Sequence, residues 1–186
     1  MRAALDTLYR VATGLAAACL VAIALLVVAQ VGGRLIDGAR SVFGLEPLGL
    51  LVPSLAEIAG FLLVGASFLA LPGTLRRGDH IRVSIFLQIA PSGLARFLDL
   101  WSLAVAFGGS AFFTWHAAML ARDSYIYNEV SFGILPIPLV FPQLVLTAGL
   151  GVFTIALLDD LIAAVSGSGP SFNPVEKTND PIEGTE

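Results

Sequence analysis

Side chains able to do chemistry are scarce in this chain. His80 and His116 are its only histidines, and Cys19 is its only cysteine. A haem held between helices needs two axial ligands at compatible depth. His80 follows the second apolar stretch and His116 lies in the outer part of the third, near opposite membrane faces, so they cannot clamp one haem. A lone cysteine excludes an intramolecular disulfide and a cysteine-built metal or iron–sulfur site. Neither a Walker-type glycine loop, nor Gly-x-Ser-x-Gly, nor His-Glu-x-x-His is present. Ala16-Ala17-Ala18-Cys19 faintly resembles a lipoprotein cleavage site. Cys19 sits mid-run, however, and reads as a small core residue.

What remains is a set of polar residues at similar depth: Gln30, Arg34, Glu57, His116 and Gln143. Charges inside a membrane face the bundle interior, a cavity or a partner. Two readings follow. Arg34, Glu57, His116 and Gln143 either line a transport path or pair between helices, Glu57 with Arg34 or His116. The inner halves of the spans are nearly all apolar, so pairing is preferred, with Glu57–Arg34 the expected couple.

The elements that hold these residues follow from charge. Four stretches carry no Asp, Glu, Lys or Arg: Val11 to Gly33, Ile58 to Leu75, Leu100 to Ala121 and Val130 to Leu158. A spanning helix needs about 20 mostly apolar residues. The chain is 56% hydrophobic and 13% charged, with mean hydropathy +0.86. Soluble domains average about 25% charged residues. Backbone polar groups in lipid must be satisfied internally, and the runs are too long for barrel strands. The expected fold is therefore an all-α membrane protein with four transmembrane helices over residues 1–165. The spans are placed at Leu8–Ile36, Pro53–Leu75, Leu94–Ala121 and Ile137–Ile162. Residues 166–186 are rich in Ser, Gly, Pro and acids and read as a disordered cytoplasmic tail. A net charge of −4 gives no basic field for nucleic acid.

Ser84 to Ala90 is too short to span. Arg82 precedes it and Arg96 follows it, so it reads as an amphipathic helix lying on the membrane surface between spans two and three. Tyr125 and Tyr127 suit a headgroup interface. Seven basic residues (Arg2, Arg10, Arg76, Arg77, Arg82, Arg96, Lys177) fall on one side and three (Arg34, Arg40, Arg122) on the other. That bias places both termini in the cytoplasm. Ala12/Ala16, Gly14/Ala18, Ala104/Gly108 and Ala106/Ser110 have the spacing that permits close helix packing.

One segment carries a resemblance. Glu57 is followed by Phe68-Leu69-Ala70 and then Arg77-Gly78-x-His80-Ile81-x-Val83. Ser131-x-Gly133 precedes Ile137-Pro138-Leu139. This pattern resembles the small, DctQ-type (Q-type) membrane subunit of TRAP (tripartite ATP-independent periplasmic) transporters. Ser84 stands where the family often has an acid, and Val140 where it often has Trp.

The resemblance implies a non-catalytic scaffold in a bacterial inner membrane. It implies a large elevator-type permease subunit as partner, with substrate and Na⁺ sites on that subunit and no cofactor in this chain. A periplasmic binding protein would deliver a small organic anion, commonly a carboxylate. On this reading Arg76, Arg77 and Arg82 hold the middle loop at anionic headgroups of the membrane lipid, each contributing on the order of 1 kcal/mol. Gly78 permits the turn, and His80 caps that helix end or hydrogen-bonds the partner, or else is a solvated loop residue. Glu46, Asp123 and Glu129 are exposed residues able to touch the binding protein. The competing readings are a redox-enzyme membrane anchor and a small homo-oligomeric channel.

Overall fold

The computed structural model describes residues 2–77 and 92–166. Four helices dominate: α1 (Arg2–Val42), α2 (Leu55–Arg77), α3 (Ser92–Ile126) and α4 (Val140–Val165). Each is long and apolar enough to cross a membrane. Among the described residues the fold is all-α, with a single isolated β-bridge, Val130 to Pro138. The surface helix expected over residues 84–90, with Gly78, His80 and Arg82 before it, lies outside the described residues. So does all of the tail beyond 166.

α1 and α3 are longer than the hydropathy pattern suggests, while α2 and α4 keep the expected length with shifted ends. α1 has 41 residues, which at 1.5 Å per residue is about 60 Å, twice the thickness of a hydrocarbon core. Gly38 does not end it. A single internal glycine costs only about 1 kcal/mol, and contacts with the following linker offset that cost. The linker folds back along α1: Asp37 carboxylate oxygens accept from Leu48 N–H (2.7 Å) and Gly49 N–H (3.1 Å). Gln30 Oε1 accepts from Val52 N–H at 2.7 Å, and Arg40 Nε donates to the Glu46 carbonyl at 2.9 Å. The Leu50 carbonyl occupies the space that a Cβ on Gly33 would need. Gly33 is thus a glycine because the linker lies against it.

Packing order is α1–α2–α4–α3. α1 packs on α2, α2 on α4, and α4 on α3; the α1 backbone barely meets that of α4, and the α3 backbone comes close to neither α1 nor α2, although Leu103 of α3 joins the side-chain cluster of Tyr9, Leu75, Ala156 and Leu157. The four spans form a row, with α1 and α3 at its edges. Close approach at each seam is made by small residues. Ala12 and Ala16 of α1 are buried with Leu69 of α2. A Cβ on Gly65 would lie 3.3 Å from both Cys19 Sγ and Val145 Cγ1, so α1, α2 and α4 converge there. That places Cys19 inside the packing. Gly14, by contrast, faces open space, as does Gly108.

The α2–α4 seam has a specific cause. Pro72 lies inside α2 and is fully buried. It has no N–H, so the Phe68 carbonyl four residues earlier loses its usual helical donor. Gly149 of α4 packs directly on that carbonyl: a Cβ there would stand 2.7 Å from Phe68 C and 2.8 Å from its O. The α3–α4 seam is polar at mid-span. Ser110 Oγ and Thr154 Oγ1 are 2.7 Å apart, and Thr114 Oγ1 is 3.0 Å from Thr154 Oγ1. Thr114 and Thr154 also donate to their own helix carbonyls at Ser110 and Leu150, so each hydroxyl has an acceptor within the protein, as lipid requires.

Candidate functional site

Two polar constructions cap the row of helices, one at each end. At the end where α1 begins, Arg76 of α2 pairs with Asp6 of α1 and lies 3.5 Å from Asp159 of α4. Its guanidinium also sits 4.8 Å from the centre of the Tyr9 ring. Tyr9 is itself in the core, packed with Leu75, Leu103, Ala156 and Leu157. One arginine therefore ties three helices through two carboxylates and a cation–π contact. The sequence expectation placed Arg76 at lipid headgroups. In the structure it is satisfied within the protein, because the ends of α1 and α4 bring carboxylates to it. Arg77 is the last residue of α2.

At the opposite end the α3–α4 connection forms a clasp over α2. Ser131 N–H donates to the Ile137 carbonyl (2.9 Å) and Leu139 N–H to the Glu129 carbonyl (3.0 Å). Ser131 Oγ accepts from Ile137 N–H at 3.1 Å. Ile137, Pro138 and Leu139 thus belong to the clasp, and α4 starts at Val140 rather than Ile137. Ser124, almost fully buried, donates to Glu129 Oε2 at 2.5 Å. Asn128 turns the chain with φ of +50°. The clasp is fastened to α2 by Leu135 N–H, which donates to Ser54 Oγ at 3.0 Å. A Cβ on Gly133 would overlap the Glu57 carboxylate and lie 3.0 Å from Ser54 Oγ. Gly133 is thus the point at which the clasp closes on the start of α2.

The expected cluster of Arg34, Glu57, His116 and Gln143 does not assemble. Glu57 lies under Gly133, with Oε2 buried and without a hydrogen-bond partner. Arg34 is exposed and makes no ion pair with it. Gln30, Gly33, Asp37 and Arg40, not Arg34, are the residues of α1 turned to the linker. His116 is exposed on α3, its ring 4.3 Å from that of Phe112. It cannot reach Glu57, because α4 stands between α3 and α2. Gln143, near the start of α4, has a buried and unpartnered Oε1. Of the residues expected to touch the binding protein, Glu129 is bound to Ser124, the Glu46 carbonyl accepts Arg40 Nε, and Asp123 lies 3.9 Å from Arg122.

Glu57→Gln is accordingly expected to leave the melting midpoint unchanged or raise it, since among the described residues the carboxylate has no cation to lose. Reversing Arg34 and Glu57 together should show no coupling in a double-mutant cycle. A drop of about 1 kcal/mol or more on Glu57→Gln would show a partner for the charge.

Ser54, Thr114, Thr154, Asp6 and Asp159 are structural polar residues that the sequence reading missed. A hydroxyl pair 44 residues apart, such as Ser110 and Thr154, leaves no local signal. Asp6 and Asp159 flank apolar runs, which hints only that they sit at the same end as Arg76.

Both constructions hold helices together; neither presents a substrate pocket. The described cavities are small, about 300 Å³ between α1 and α2 and about 110 Å³ beneath the clasp. The model of the family "Tripartite ATP-independent periplasmic transporters, DctQ component" matches residues 23–167. No curated protein and no solved structure matches the chain. The match takes in α2, α3, the clasp, α4 and about half of α1: this multi-pass membrane protein belongs to the DctQ family, a transporter component and not an enzyme.

Proposed function

We propose that this chain is the stationary scaffold subunit of a TRAP transporter in a bacterial inner membrane, with both termini cytoplasmic. Its partner is a large permease that holds the substrate and Na⁺ sites and moves as an elevator. A periplasmic binding protein delivers a small organic anion, a carboxylate. The observation that carries this reading is the distribution of polar groups. Mid-span hydroxyls are consumed by hydrogen bonds between and within helices, and Arg76, Asp6 and Asp159 at one end are consumed by an ion-pair knot. A conducting path needs polar groups directed to a passage, and these are directed to one another.

The row of helices also leaves broad apolar faces. Leu25 and Val28 of α1 and Trp101 and Trp115 of α3 are all exposed. A stationary element beside a moving one needs such faces and needs internal rigidity. Affinity purification from mildly solubilised native membranes tests the reading, with a large multi-span permease expected in one-to-one ratio.

A further inference from the structure

α1 and α2 meet where Gly73 packs on Thr13; a Cβ on Gly73 would overlap Thr13 Oγ1. Beside that contact lies a cleft of about 300 Å³ lined by Asp6, Tyr9, Arg10, Thr13, Gly73 and Arg76. Its position is informative. Arg10 and Arg76 are the first charged residues beyond the charge-free runs of these two helices, which is the level of lipid headgroups. Its charges are also informative. Arg76 is taken up by Asp6 and Asp159. Arg10 is exposed and has no acidic partner among the described residues. Asp6 retains an accessible side chain, 39% exposed, despite its ion pair. Arg10 and Asp6 are four residues apart on one helix, hence neighbours on one face. The cleft therefore presents one unpaired guanidinium beside one partly accessible carboxylate. Tyr9 is 96% buried in its wall (4% exposed), and its hydroxyl makes no hydrogen bond of acceptable geometry, the Arg76 guanidinium lying over the ring instead.

We propose that this cleft binds the headgroup of a membrane phospholipid that carries both a phosphate and a primary ammonium. The phosphate takes Arg10, a charge-assisted contact that suits a guanidinium. The ammonium takes the open side of Asp6. The acyl chains run along α1 below the cleft, where Leu20 and Val21, on the same helix face as Arg10 and Thr13, are apolar and exposed. The inference does not depend on the transporter reading. The α1 half of the cleft precedes residue 23, where the family match begins.

The test is native mass spectrometry of the full-length purified protein after delipidation. Phosphatidylethanolamine, phosphatidylcholine and phosphatidylglycerol with identical chains are the lipid probes, and inorganic phosphate is the soluble one. Phosphatidylethanolamine should give the dominant adduct. Arg10→Ala should reduce it about fivefold, the worth of one basic residue at a headgroup. Arg10→Lys should retain most of it, and Arg122→Ala, at the other end, should change nothing. Arg10 is exposed, so an unchanged melting curve will confirm that its variants fold. Equal adducts with all three lipids would overturn the proposal. So would displacement of the lipid by equimolar phosphate, or wild-type retention in Arg10→Ala.

Discussion

Gly149→Val is expected to pry α2 from α4 and to destabilise the protein by about 3 kcal/mol, the upper part of the usual range for overpacking. The reason is the identity of the neighbour. The new side chain would meet the Phe68 backbone, not a flexible side-chain tip. That backbone cannot move aside without shifting α2, where Pro72 already leaves the Phe68 carbonyl without its helical donor. Thermal denaturation in detergent gives the stability change. The single cysteine gives a second readout, since Cys19 packs where α1, α2 and α4 converge. Its thiol should label faster in the variant. Gly108→Val is the matched control: Gly108 faces open space, so its substitution should leave both readouts near wild type. Equal behaviour of the two variants would refute the assigned seam.

Arg76→Ala is the second large effect. Removing the cation leaves Asp6 and Asp159 facing the same site without the guanidinium that bridges them. Breaking a fully buried pair costs about 3–5 kcal/mol. Arg76 is 27% exposed and its carboxylates rather more, so about 2 kcal/mol is expected after solvent screening. Arg76→Lys should recover part of this, because an ammonium lacks the planar fork that serves two carboxylates and stacks on Tyr9. Arg76→Met combined with Asp6→Asn and Asp159→Asn should be more stable than Arg76→Met alone. A melting curve of Arg76→Ala that matches wild type would remove the knot from this account. A triple variant no better than Arg76→Met would show that the carboxylates are not what the arginine serves.

The number and type of helices were legible because hydrocarbon excludes charge, and a run such as Leu100 to Ala121 has no other reading. Helix ends were less legible. α1 runs on past Ile36 because Asp37 and Gln30 take N–H groups from residues 11 to 22 positions away, and no local pattern announces such partners. The polar cluster failed for a related reason. Rise per residue places Glu57, His116 and Gln143 at similar depth, but depth says nothing about which helix neighbours which. Once α4 separates α3 from α2, His116 and Glu57 cannot meet. Arg76 was read as a lipid anchor because its basic neighbours Arg77 and Arg82 are visible in sequence. That Asp6 and Asp159 reach it depends on the convergence of three helix ends. Ser131-x-Gly133 stood out as a pattern, and the structure supplies its reason: the serine closes the clasp and the glycine makes room for Glu57.

The central claim is that this chain acts as the fixed half of a two-subunit permease. Affinity purification of the chain, expressed from its native operon and extracted in mild detergent, tests it most directly through the identity and stoichiometry of every companion. The account predicts a large multi-span permease at one-to-one ratio, retained in Glu57→Gln and lost or weakened in Gly149→Val. Recovery of the chain alone as a homo-oligomer, or with a coloured redox partner, would contradict it.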